Sequence, residues 1–75
     1  MQVKIRLRNG EDLNMSNLAG VKEYIDLNQP PKVRKTLDDV QLISINSPQF
    51  VLVTGEGKTV IVRNVDVVYF EFSAD

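Results

Sequence analysis

The chain has no cysteine and no histidine. Without cysteine there is no disulfide, no thiolate metal site and no thiol redox chemistry, a composition that fits a cytoplasmic protein. Without histidine, the commonest transition-metal ligand and the commonest general base are also missing. Long apolar runs are absent as well. The longest, such as FVLV (50–53) and VVYF (67–70), have four residues. That is too short for a transmembrane helix or a secretory core, so no membrane association is expected. The opening MQVKIRLRNG reads as a strand, and no targeting segment is expected there.

What remains is an ordinary globular composition, 43% apolar and 25% charged, in 75 residues. This length makes one domain, 1–75, whose core is small enough that a staple or a partner commonly assists it. With no covalent staple available, oligomerisation is the expected source of extra stability. Net charge is −1 but unevenly spread: residues 1–36 carry seven Lys or Arg against four Asp or Glu, and residues 37–75 carry two against six. Such asymmetry can mark a basic contact face or a head-to-tail preference between copies.

VKIRLR (3–8) alternates strictly, with Val3, Ile5 and Leu7 on one face and Lys4, Arg6 and Arg8 on the other, so residues 2–8 read as a strand. Asn9-Gly10 is a hairpin signal, and EDLNM (11–15) is the return strand. In SNLAGVKEYIDLN (16–28) the period changes. Leu18, Val21 and Ile25 are spaced three and four apart, which predicts a helix of two to three turns with Ser16 as N-cap and Gly20 as its weak point. NQPP (28–31) ends it, and PKVRKTLDD (31–39) reads as a charged connector. From Val40 the character is β: 13 of the last 36 residues are Val, Ile or Thr, against six of the first 39. Strands are expected at 40–46, 50–54, 59–63 and 67–72, joined by short turns. The expected fold class is therefore α+β, mainly β: a small curled antiparallel sheet or barrel of about six strands, with one short helix after the first hairpin.

The late strands are apolar on both faces. Phe50 and Leu52 oppose Val51 and Val53; Val60 and Val62 oppose Ile61; Val68, Phe70 and Phe72 oppose Val67 and Tyr69. A sheet with one wet face does not look like this, so a second cover is expected. The expected protein interface is Val51, Val53, Ile61, Val67 and Tyr69.

FVLVTGEGKTVIVRNVDVVYFEF (50–72) resembles the end of small SH3-like and Sm-like barrels, where two hairpin strands are followed by a very short turn and a last strand. The resemblance implies that VRNVDVVYFE (62–71) contains that turn. Sm-like proteins carry a helix before the first strand, whereas the helix candidate here follows a hairpin. The RNA-binding motifs of that family are absent, so none of its site residues is transferred. The size and plain composition also resemble those of short phage and mobile-element proteins.

Few residues suggest catalysis. Glu11-Asp12 and Asp38-Asp39 flank turns, and neighbours on a strand point to opposite faces, so neither pair makes a carboxylate dyad. No loop pattern for a hard cation accompanies them. GEGK (55–58) lacks phosphate-loop spacing and reads as a hairpin tip. Lys4, Arg6 and Arg8 stand about 6.6 Å apart along their strand, close to a phosphate repeat, and Lys32, Arg34 and Lys35 could extend the row. No aromatic is interleaved, the pI is about 5.3, and charged strands also guard against aggregation. Tyr24 and Tyr69 suit interface edges or the margin of the core. The expectation is a non-enzymatic protein-interaction module that self-associates or binds another protein, with no cofactor, metal or small-molecule substrate. The alternative is a weak nucleic-acid binder using the six cations, a row that equally suits an acidic protein partner.

Overall fold

The opening alternation folds as a strand. In the computed structural model, which describes residues 1–75, β1 (Gln2–Leu7) turns through Asn9-Gly10 into β2 (Asp12–Met15). Gly10 has a φ of 90°, which glycine adopts without strain. Val3 and Ile5 face Met15 and Leu13 on the inside, while Lys4 and Arg6 face Asn14 and Asp12 on the outside.

The helix expected over 16–28 is instead a strand, β3 (Leu18–Tyr24). Its register shifts between Leu18 and Gly20, so an extra residue interrupts the period of two. The inward positions become Leu18, Val21 and Glu23, all buried. The first interval imitates a helix, and the polar Glu23 hides the alternation that follows. β4 (Lys32–Arg34), read as connector, pairs with β3 with Val33 opposite Lys22. The helix is a single turn, α1 (Leu37–Val40), capped by Thr36, whose hydroxyl accepts from the Asp39 amide.

The strand expected at 40–46 does not form. Residues 41–48 make an irregular segment, held by turn bonds such as Leu42 N–H to Asp39 C=O and Ser47 N–H to Ser44 C=O. The last three strands lie where expected: β5 (Gln49–Thr54), β6 (Thr59–Arg63) and β7 (Val67–Ser73). The short turn before the last strand is a 3-10 helix (Asn64–Asp66).

Seven strands form two antiparallel sheets, β2-β1-β7 and β4-β3-β5-β6. The fold is α+β and mainly β, as expected, but the sheets curl over one another without closing into a barrel. Ile5, Val21, Val40, Phe50 and Leu52 are wholly buried between them. Phe50 meets Phe70 edge to face, with centroids 4.8 Å apart, which ties the four-stranded sheet to the three-stranded one. No helix is long and apolar enough to cross a membrane.

The β3 bulge brings the β4 backbone against Gly20. A Cβ there would lie 2.9 Å from the Arg34 carbonyl oxygen. Gly20→Ala is therefore expected to destabilise the fold by about 1–3 kcal/mol, read from urea unfolding midpoints; an unchanged midpoint would mean that β4 does not pack there.

Candidate functional site

The most heavily bonded polar group is buried. Glu23 on β3 is 1% exposed and Arg34 on β4 is 6% exposed. Arg34 Nε donates to Glu23 Oε1 at 2.8 Å, and its Nη1 donates to Asp39 Oδ1 of α1 at 2.9 Å. Glu23 Oε2 accepts from Ser47 Oγ at 2.6 Å and from the Ser44 amide at 2.9 Å. No buried polar side-chain atom is left without a partner. Burial pushes the Glu23 carboxyl up, but the bonds from Ser47, Ser44 and Arg34 outweigh this and hold it below its ordinary value. Bonded in this way, the cluster acts as a fastening between β3, β4, α1 and the 41–48 segment.

The six candidate cations do not form one surface. Lys4 and Arg6 both pair with Asp12, and Arg6 also lies over the Tyr69 ring at 6.0 Å. The bond from Arg6 pulls the exposed Asp12 carboxyl below its ordinary value. Glu71 stands opposite Lys4 on the other side, so opposite charges are interleaved on this face. Arg8 Nε donates to the Val65 carbonyl at 2.8 Å. Arg34 is buried in the ion pair, which removes it from any contact surface; Lys32 and Lys35 belong to the β4 side of the other sheet.

The five apolar candidates also divide. Val51 and Ile61 face one another on the outside of the four-stranded sheet, and Val53 shares that side. Ile61 is 65% exposed, and Val33, unforeseen in the charged connector, is 48% exposed in the same cross-strand row. Val67, by contrast, is a core residue at 1% exposure, and Tyr69 lies on the outside of the other sheet. The cause is a second bulge. Arg6 pairs with Tyr69 and Leu7 with Val67, leaving Val68 as the extra residue and turning Val67 inward.

The feature least visible in the sequence is the free edge of β7. Its only ladder partner is β1, and no other backbone bond reaches residues 68–73. Beside it runs a groove of about 450 Å³, walled by Val40, Ile43 and Ile45 on one side and by Val68, Phe70 and Phe72 on the other. No group of three or more potential metal ligands is gathered anywhere. Comparison with family models, curated proteins and solved structures finds no match to this chain.

Because Glu23 has a lowered pKa in the folded protein, its stabilising contribution is complete above the ordinary glutamate value near 4.5 and is lost as pH falls through the folded value. Glu23→Gln is expected to flatten that limb of the stability–pH curve. Glu23→Ala, which leaves Arg34 with Asp39 as its only charged partner and deprives the Ser44 amide and Ser47 hydroxyl of their acceptor, is expected to cost about 3–5 kcal/mol. Thermal melts between pH 2 and pH 7 check both; an unaltered acid limb in Glu23→Gln would refute the assignment.

Proposed function

We propose that the protein is a non-enzymatic protein-interaction module that self-associates, and that its contact site is the free edge of β7 with the adjoining groove. One observation carries this reading: a seven-residue strand of sequence VVYFEFS has an unpaired side and an apolar groove along it. Exposed strand edges of this kind are templates for another strand, and apolar grooves supply specificity through side-chain pockets. The outer face of the four-stranded sheet is a poorer site for self-contact. It carries Lys22 and Arg63 beside its apolar row, and two copies face to face would oppose like charges.

Val68 is 50% exposed in the groove wall, so a lysine there adds a charge to the site without opening the core. Light scattering behind size exclusion, over a hundredfold concentration range, is expected to give a multiple of the 8.5 kDa chain. Val68→Lys is expected to raise the dissociation constant tenfold or more, about 1.4 kcal/mol, with an unchanged far-UV spectrum. A wild-type monomer throughout would refute self-association.

The outer face of the four-stranded sheet supports a second reading, contact with nucleic acid. β3, β4, β5 and β6 place Lys22, Arg63 and Tyr24 on this face with no carboxylate among them, and Lys35 lies against Gly20. On this reading a single-stranded oligonucleotide binds with an affinity that falls steeply with salt, and Lys22→Glu abolishes binding while leaving the melt unchanged. Absence of binding at low salt would dismiss it.

A further inference from the structure

The molecule has four strand edges, and they are not alike. β4 is three residues long and carries Lys32; β2 has four residues and carries Asp12 and Asn14; β6 has Arg63 at its end. Short length and charge are the usual protection of an edge. β7 is the least protected: it is seven residues long, with no lysine, arginine or proline and one acid, Glu71. Its composition is that of a strand paired on both sides.

We propose that β7 pairs antiparallel with β7 of a second copy, with Phe70 on the two-fold axis. This rests on the self-association reading above and names its partner and register. A two-fold axis perpendicular to the sheet puts the inward faces of both copies on the same side, so residues of like orientation stand opposite and the axis passes through a residue. β7 is regular from Tyr69 to Ser73, because the bulge at Val68 interrupts it. An axis through Glu71 would set two carboxylates against each other. An axis through Phe70 sets Tyr69 against Glu71 of the other copy, twice.

That pairing is complementary in charge. Arg6, bonded to Asp12, lies over the Tyr69 ring from the β1 side, so the incoming carboxylate meets a phenol donor with a guanidinium behind it. On the inward side Phe70 meets its own copy, and the incoming Phe72 reaches the bulge at Val68. Both aromatic side chains then enter the groove walled by Val40, Ile43 and Ile45. The same contacts form on each side of the axis, as a two-fold interface requires.

The register can be tested by cross-linking, because the chain has no cysteine of its own. Tyr69→Cys and Glu71→Cys alter outward-facing, exposed positions, so neither opens the core. Opposed residues in such a pair have Cα atoms about 4.5–5.5 Å apart, within disulfide reach. Identical residues one place from the axis are about 8 Å apart, beyond it. Each variant is oxidised alone and after mixing with the other, one of the two carrying a tag that separates the species on a gel. The expected result is a mixed disulfide in the combined sample and none in either variant alone. A disulfide in Glu71→Cys alone would overturn the Phe70-centred register. No disulfide in the mixture, with the wild-type mass still above that of the monomer, would overturn the β7 contact and leave self-association standing. A monomeric wild-type mass would overturn both.

Discussion

Arg34 reaches from β4 to Glu23 across the strand pair and to Asp39 at the end of α1, while the second oxygen of Glu23 takes the hydroxyl of Ser47 and the amide of Ser44. Taking two such charges out of water costs several kcal/mol each, which only good geometry and further hydrogen bonds offset. Here the cost serves segments that have little else to hold them. β4 is three residues long, α1 is one turn, and residues 41–48 belong to no ladder. An apolar pair in place of Glu23 and Arg34 would bury more simply, but it would leave the Ser44 amide without its acceptor. The network thereby fixes the wall of the groove, because Val40 follows Asp39 directly, Ile43 precedes Ser44, and Ile45 lies between the two anchoring serines.

The parts of the fold that could be read from the sequence are those where the period of two is unbroken. β1 and the Asn9-Gly10 hairpin follow from alternation and turn chemistry, and β5 and β6 from β-branched content between short turns. The two main misreadings share a cause. A bulge near Leu18 makes the inward residues of β3 look helical, and a bulge at Val68 exchanges the faces of Val67 and its neighbours. A single extra residue inverts every assignment on one side of it, and nothing in the local composition marks where it falls. Arg34 is illegible for a different reason: a lone arginine reads as solvated until its partner is known, and the helix expected over 16–28 hides Glu23. The segment 40–46 has strand composition, yet its backbone is engaged in turns and in the bond to Glu23.

Charge follows the same logic. The sequence separates a basic first half from an acidic second half, but antiparallel pairing folds one onto the other. Asp12 and Glu71 come to flank Lys4 and Arg6, so the row of cations that opens the chain has carboxylates on both sides. Apart from Arg8, which bonds the Val65 carbonyl, the cations without carboxylate partners are left around the four-stranded sheet, where they oppose self-contact.

On the proposed pairing through β7, association stops at two. An unprotected edge ordinarily recruits strand after strand, the geometry of a fibre. Once β7 meets its copy, the three-stranded sheets merge into one of six strands in the order β2-β1-β7-β7-β1-β2. Its new edges are both β2, four residues long and carrying Asp12 and Asn14. Such an edge offers few backbone groups and a charge that a third strand would have to desolvate. The long apolar strand is then interior, the short charged ones are exterior, and the contact closes on itself through the two-fold axis.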